Sequence, residues 1–338
     1  MLKWLLFPFS ILYGSILALR NWCFDYQLFP SEIISGKSIS VGNLSVGGTG
    51  KSPHVAYLIE RYKTQHPVHV LSRGYGRKSK GLREVSPNDL ASEVGDEALM
   101  LKQRFGEQIT MVVSENRREG VRYLRQKDPT ALLLLDDAFQ HRWVKPGLSL
   151  LLTRYDSPFF SDFPFPMGRL REWRSGVKRA DILVVSNSPK QEKINQSHWE
   201  KALSPYKKPF FFSSVHRAQL LQKGKAIHEP KCVIIVSGIA SPDRILPFFD
   251  PSIELHLKQF PDHHAFTQQE LQDIHRFFDT FAPKQPAIVT TEKDWVKIAP
   301  LLSAHDLQNY PWQVLPISIH WTDEAAINTL LDRYVNTI

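Results

Sequence analysis

Cysteine is almost missing from this chain: Cys23 and Cys232 are the only two in 338 residues. That excludes a disulfide framework and a cysteine-based zinc site, and it fits a reducing compartment. No HExxH spacing replaces the missing thiols, so the His263-His264 pair lacks the other half of a zinc site. Internal repeats and low-complexity tracts are also absent. Acidic residues are outnumbered, 34 against 42 basic ones, for a formal charge of +8. Such a chain suits an anionic partner, whether nucleotide, anionic lipid or nucleic acid. With 42% hydrophobic and 22% charged residues, the composition is that of a globular protein long enough for two domains.

The one long apolar run is short for a membrane span. The outlying stretch is WLLFPFSILYGSILAL, sixteen uncharged residues between Lys3 and Arg20 with Pro8 among them. A spanning helix needs about 20 apolar residues, so this run is short. Leu19-Arg20-Asn21-Trp22 offers no small-residue cleavage site, which argues against a signal peptide. The rival is a buried core helix. Residues 1–22 read better as a helix lying in or dipping into the bilayer interface, with Lys3 and Arg20 at the headgroups.

What the sequence does have is concentrated in Ser38–Ser52, SISVGNLSVGGTGKS. A short strand runs into a Gly-rich turn ending in Gly50-Lys51-Ser52, and Val55, Leu58 and Ile59 then recur at helical spacing. Pro53 falls in the first helical turn, where its missing N–H costs nothing. Strand, glycine loop, Lys-Ser and helix together predict a phosphate-cradling P-loop. Loop amides of Gly47, Gly48, Thr49 and Gly50 would face the anion, Lys51 would reach the β/γ-phosphates, and Ser52 would ligate Mg²⁺. The strict pattern wants glycine where Ser45 stands.

The second strong signal is Ala131–Asp137, ALLLLDD. An apolar run without alternation predicts a strand buried on both faces, and Asp136 and Asp137 at its carboxyl end sit where a P-loop protein holds its Mg²⁺. Strands also end at Arg73-Gly74-Tyr75-Gly76, where ligand contacts gather in open α/β sheets. Val94-Gly95-Asp96-Glu97 opens a helix, and Gly168–Arg174 with Lys178-Arg179 forms the densest basic patch, suited to a phosphorylated substrate. One short patch is weak ground for nucleic acid, which is not expected as a partner.

Strands alternate with helices to about Ser214, which predicts an α/β domain with a doubly wound parallel sheet at 23–218. The polar stretch Gln219–Pro230 reads as a boundary before a smaller α/β domain at 219–338. There the pattern predicts helices at Arg244–Phe249, Gln268–Phe281, Trp295–Leu302 and Asp323–Val335. Strands are predicted at Cys232–Ser237, Ile253–Gln259, Ala287–Thr291 and Val314–Ile319. Thr290-Thr291-Glu292-Lys293-Asp294 is similar to the guanine-reading loop of GTPases. Glu292 stands where that loop needs lysine, which counts against the rival reading of a GTPase or chaperone-type NTPase.

The motifs SVGNLSVGGTGKS, SRGYG, VGDE, DDAFQH, GRLRE, SGIASP, FPDHH and TTEKD occur here in the order found in tetraacyldisaccharide 4′-kinases of lipid A biosynthesis. The chain resembles that family over nearly its whole length. The resemblance implies two linked α/β/α domains with the active site in the cleft between them. It further implies ATP and Mg²⁺ as cofactors, an acylated disaccharide glycolipid as substrate, and a monotopic place on the cytoplasmic face of the inner membrane, with no obligate protein partner. It makes Asp96 and His263 a catalytic dyad. Gly47–Ser52 become the ATP cradle, and Asp136 and Asp137, with Glu172 as helper, the metal site. Arg73, Tyr75, His141 and Arg171 become substrate contacts. Ala138 and Ser186-Asn187-Ser188 depart from the family's usual Gly and Thr-Lys, away from the dyad.

Overall fold

The computed structural model describes residues 2–222, 225–226, 230–239 and 242–337. The expected boundary at Gln219–Pro230 and the SGIASP motif therefore lie partly outside the described residues.

Among the described residues ten strands precede the boundary. Glu32–Ile33 and Val144–Lys145 form a small parallel sheet of their own. The other eight are β1 (Ser38–Asn43), β2 (Val68–Ser72), β3 (Arg83–Glu84), β4 (Ile109–Val113), β5 (Leu132–Asp136), β6 (Leu148–Arg154), β7 (Ile182–Ser186) and β8 (Phe210–Arg217). The later strands are β9 (Leu221–Gln222), β10 (Lys225–Ala226), β11 (Cys232–Ser237), β12 (Glu254–Gln259), β13 (Ala287–Thr291), β14 (Trp312–Leu315) and β15 (Ile317–Trp321). The first sheet has nine strands in the order β15-β8-β7-β6-β1-β5-β2-β4-β3. All its neighbours are parallel except the two edges, where β15 and β3 run antiparallel. Every residue of β1 and β5 is buried. A sheet covered on both faces demands such continuous apolar runs.

Beside β1 the strand order reverses: β5 lies on one side and β6 on the other. Open α/β sheets form their ligand crevice at such a switch point, beyond the carboxyl ends of the strands. Asn43 ends β1, so the glycine loop enters that crevice. The helices that matter to it are α1 (Phe7–Asp25), α2 (Lys51–Tyr62), α3 (Asp96–Phe105), α4 (Arg117–Lys127), α5 (Gln196–Leu203), α6 (Gln268–Asp279), α7 (Glu292–Ile298) and α8 (Glu324–Thr337).

The second sheet has six strands in the order β10-β9-β14-β13-β11-β12. Three predictions for this half need correction. Arg244–Phe249 is not an α-helix but two 3₁₀ turns, Pro242–Arg244 and Leu246–Phe248, because Pro242 and Pro247 supply no N–H to an α ladder. The helix expected at Trp295–Leu302 begins earlier, at Glu292, because the Thr291 side chain caps it by accepting from the Asp294 N–H. It closes in a 3₁₀ turn at Ala299–Leu301 that contains Pro300.

The strand expected at Val314–Ile319 is two strands broken at Pro316, and they join different sheets. Proline fixes φ and removes the donor that a continuous ladder would need. β14 stays in the second sheet, while β15 pairs with β8. The chain thus passes between the sheets twice, through 218–220 and through Pro316. The two crossings are bonded to each other by the Ala218 N–H on the Pro316 carbonyl, 2.9 Å.

As a result residues 317–337 pack with the first unit rather than with 219–316. Ile327, Leu331 and Val335 on α8 are fully buried in the same core as Ile39, Val41 and Val55. The Tyr334 hydroxyl donates to the Ser38 carbonyl and accepts from the Ser38 N–H, both at 3.1 Å. Leu331→Ala should therefore destabilise the P-loop sheet itself, by about 2–5 kcal/mol. Denaturant unfolding followed by a probe in α2 checks this, and a loss confined to the second sheet would contradict it.

Candidate active site

At the tip of β1 the loop is built by backbone conformation. Gly50, the N-cap of α2, has φ +82°, a left-handed geometry that glycine adopts without steric cost. Ser45, in the place of the missing glycine, pairs antiparallel with Leu170, and the Val46 N–H donates to the Arg169 carbonyl at 2.8 Å. The loop leaves the sheet as extended backbone there, so glycine is not needed. Asn43 Nδ2 donates to the buried Thr49 hydroxyl at 2.7 Å. His54 braces the loop from below, its Nδ1 2.6 Å from the Gly50 carbonyl and its Nε2 2.9 Å from Ser213 Oγ. Burial pushes the His54 imidazole down to about 4, so it is neutral, with Nδ1–H donating to the carbonyl.

Asp136 ends β5 at 1% exposure, and its Oδ1 has no partner among the described residues. Ser72 donates weakly to Oδ2 at 3.4 Å. Burial, with the charges of Glu97 and Asp137, pushes Asp136 up to about 7 against the pull of Lys51 and Arg117. Asp137 is opposite in character. Burial alone would raise it, but Lys51 and Arg171 hold it below the usual carboxylate range. Lys51 Nζ lies 3.6 Å away, and Arg171 Nη1 contacts both of its oxygens at 2.9 and 3.0 Å. A buried carboxylate oxygen without a donor, together with the buried Ser52 hydroxyl, is the hard-oxygen set that Mg²⁺ takes.

Glu172 is held by protein donors: its carboxylate accepts from Arg179 at 2.7 Å, from Asn21 at 2.7 Å and from Gln140 at 3.2 Å. It anchors α1 to the core, and its Oε2, bonded by Asn21 alone, keeps a lone pair for the helper role the resemblance implies. Arg171, expected on substrate, reaches Asp137 through Nη1. His141 is half-buried, and burial with the cations Arg117 and Arg73 lowers it to about 4, leaving a neutral ring. Arg73 stands exposed just past β2.

The second cluster brings the two sheets together. His263 Nδ1 lies 2.8 Å from Asp96 Oδ2, across 167 residues of sequence. Asp96 heads α3, where its Oδ1 accepts the Glu97 N–H at 2.9 Å. Burial pushes Asp96 upward, but the hydrogen bond from His263 and the charges of Lys293 and Lys297 outweigh it and hold the carboxyl below its ordinary value. His263 is raised, chiefly by its bond to Asp96 and against partial burial. The Tyr75 ring sits 5.2 Å from the His263 ring. Glu97 links the clusters, since its charge is felt at Asp136.

Sequence reasoning missed Lys293 and Lys297. Lys293 Nζ lies 3.2 Å from His263 Nε2, and Lys297 Nζ lies 3.9 Å from Asp96 Oδ2. Their spacing of four on α7 puts both on one helix face, a signal present in TTEKDWVK. The motif's Asp294 is structural: fully buried, it accepts from the Gly238 N–H at 2.9 Å and from Thr291 Oγ1 at 2.8 Å.

A phosphate cradle with an acidic strand end beside it, and a carboxylate of the same unit joined to an imidazole from the second, define a P-loop phosphotransferase. The chain belongs to the tetraacyldisaccharide-1-P 4′-kinase family, whose profile matches residues 2–336. A tetraacyldisaccharide 4′-kinase of Cytophaga hutchinsonii is 34% identical over 349 residues, covering 100% of this chain and 97% of that protein. One of Flavobacterium psychrophilum is 38% identical over 342 residues, with 98% and 96% covered. Among solved structures, LpxK from Aquifex aeolicus in complex with ATP superposes with a TM-score of 0.76 at 27% identity, covering 99% of this chain and 100% of that one.

One backbone position carries the approach of the two clusters. Gly95 has φ +89°, and a Cβ there would lie 3.0 Å from the Gly74 backbone. Gly95→Ala should cost about 1–3 kcal/mol of strain and displace the Tyr75 loop from His263. Thermal unfolding together with Tyr75–His263 proximity by NMR checks this, and an unshifted Tm would contradict it.

Proposed function

We infer that this chain is an ATP-dependent kinase that transfers the γ-phosphate to the 4′-hydroxyl of a tetraacylated glucosamine disaccharide 1-phosphate, a step of lipid A biosynthesis. The reading is carried by one observation: the Asp96–His263 hydrogen bond joins a shielded carboxylate from one unit to an imidazole from the other, next to Glu97, whose charge reaches Asp136. The TTEKD segment lends nothing to a GTPase, because it caps a helix and delivers lysine to His263. The direct test is transfer of labelled γ-phosphate from ATP to a disaccharide glycolipid acceptor. Labelled inorganic phosphate without labelled glycolipid would overturn the reading.

Phosphoryl transfer passes through a loose transition state, so positioning and charge neutralisation do most of the catalysis. Loop amides and Lys51 bind the nucleotide phosphates. Asp136 and Ser52 would hold Mg²⁺, which when bound neutralises charge on the phosphate oxygens. Asp96 takes the acceptor's proton with His263 orienting it, and Tyr75, Arg73 and His141 line the approach for the sugar phosphate. Lys51→Ala should lower turnover by about 10²–10³-fold, the usual cost of removing one preorganised donor. The same variant should keep the unsubstituted Tm, and full activity would remove the P-loop from the mechanism.

The N-terminal helix supports a place at the membrane interface. One face of α1 is docked: Gly14 lies under Trp173, Tyr13 donates to the Arg171 carbonyl at 3.2 Å, and Ser10 accepts the Met167 N–H at 2.8 Å. The other face carries Phe9, Leu12, Ile16 and Leu19, each 60–64% exposed. A helix apolar on its free side and bonded to protein on the other suits a bilayer interface. On this reading the protein sits on the inner membrane's cytoplasmic face, with ATP on the same side as the glycolipid headgroup. The double variant Leu12→Asp/Ile16→Asp should move the protein from vesicles to the supernatant in a flotation assay while sparing activity on detergent-dispersed acceptor. Unchanged flotation would contradict this.

The catalytic pair is tested by a double-mutant cycle on kcat. Asp96→Ala and His263→Ala should each lower kcat by about 10²–10⁴-fold with ATP affinity nearly constant. The double variant should lose scarcely more than the worse single one, because groups acting as a unit are not additive. Additive losses would mean that the two work separately.

A further inference from the structure

Lys293 has an orientation that the pairing of Asp96 with His263 does not by itself require. Its Nζ lies 3.2 Å from His263 Nε2, on the side of the ring away from Asp96. An ammonium has only donors to offer. For that contact to be a hydrogen bond, Nε2 must present its lone pair, and the ring's one proton must sit on Nδ1, 2.8 Å from Asp96 Oδ2. A proton on Nε2 would instead meet a cation at contact distance.

We propose that Lys293 is a positioning residue that locks His263 in its Nδ1–H tautomer and opposes the imidazolium form, leaving Asp96 as the sole acceptor of the substrate's proton. The proposal rests on the reading of Asp96 and His263 as the catalytic pair, and it divides their roles. The acceptor oxygen forms its bond to the γ-phosphorus while the bond from that phosphorus to the leaving ADP oxygen breaks. The hydroxyl proton passes to Asp96, and His263 keeps its Nδ1 proton throughout.

The surroundings keep Lys293 able to do this. Burial disfavours its charge, but Glu97 and Asp96 on α3 and Asp262 on the histidine loop outweigh burial and raise it above the ordinary lysine value. Glu97 Oε1 is 3.6 Å away and Asp262 Oδ1 3.3 Å. Asp262 also approaches His263 Nε2 at 3.9 Å, so Lys293 stands between that carboxylate and a proton it would otherwise attract. Lys297, the other cation on α7, is 2.9 Å from Asp294 and 3.9 Å from Asp96, and reaches the carboxylate rather than the ring. Neighbouring His264 is bonded to Glu270 at 2.9 Å. Tyr75, on the β2 loop, lies against the His263 ring at a 54° tilt, centroids 5.2 Å apart. Asp96 thus draws His263 toward the cation and Lys293 opposes it.

The test uses the full-length, detergent-solubilised protein with ¹⁵N-labelled histidine. In the unsubstituted protein the neutral His263 should show a protonated Nδ1 and an unprotonated Nε2. Lys293→Met should raise the His263 pKa by about one unit or more, the effect of removing a cation at this distance. An imidazolium beside Asp96 weakens it as a base, so the acidic limb of the kcat–pH profile should move up by the same amount. Lys293→Arg, which keeps the donor and the charge, should restore both. Lys293→Gln serves as the neutral variant if methionine prevents folding. An Nε2–H tautomer in the unsubstituted protein, or an unshifted His263 pKa in the neutral variants, overturns the proposal. So does a drop in kcat with no movement of the pH limb, which is what a purely structural lysine would give. Failure of the pair itself is told apart by His263→Ala: unchanged kcat there removes the catalytic pair, whereas the tautomer is read without reference to activity.

Discussion

The strand Ser38–Asn43 is held by parallel neighbours on both sides and buried on both faces. It therefore has no freedom except at its tip, and the chain order reverses beside it. Everything that meets phosphate follows from that placement. Gly50 can turn left-handed into α2, Lys51 arrives beside Asp137, and the adjacent strand delivers Asp136 to the same end of the sheet. The last helix then braces the base of the same strand through Tyr334.

The carboxylates in this crevice have been given different work by their surroundings. Asp137 is neutralised by two cations, Asp136 keeps an unsatisfied buried oxygen, and Glu172 accepts from three side chains. Asp96 remains ionised although buried, because an imidazole and two lysines face it. His263 reaches it with φ +58°, a left-handed conformation that is uncommon for a residue with a side chain. Strain of this kind gathers at functional sites, where the surrounding structure holds it in place.

Much of this was legible in the sequence because it depends on local pattern. The P-loop, the apolar run into Asp136-Asp137, and the alternation of strand and helix each follow from residues close together. The pairing of Asp96 with His263 came from the family resemblance alone, since no spacing joins two residues that meet across a crevice. The protein donors around Glu172 were not legible, because Asn21 and Gln140 come from distant elements. Lys293 was passed over because it lay inside a motif read for guanine. The strand at Val314–Ile319 was read as one piece because apolar alternation continues through Pro316, and only the ladder's need for an N–H there reveals the break. The GTPase alternative has no support in the fold or among the relatives.

The two crossings between the sheets run side by side, and β8 pairs with β15 while β9 pairs with β14 on either side of Pro316. A ribbon of two hydrogen-bonded strands bends across its flat face at little cost, whereas sliding or twisting apart breaks several bonds at once. Such a ribbon favours rocking of the second sheet over the first about one axis. His263 and Lys293 ride together on the far side of that axis, so a given swing carries both toward Asp96 along one arc. A proteolytic nick in either connection would leave the halves tethered by the other strand and the bonds along it.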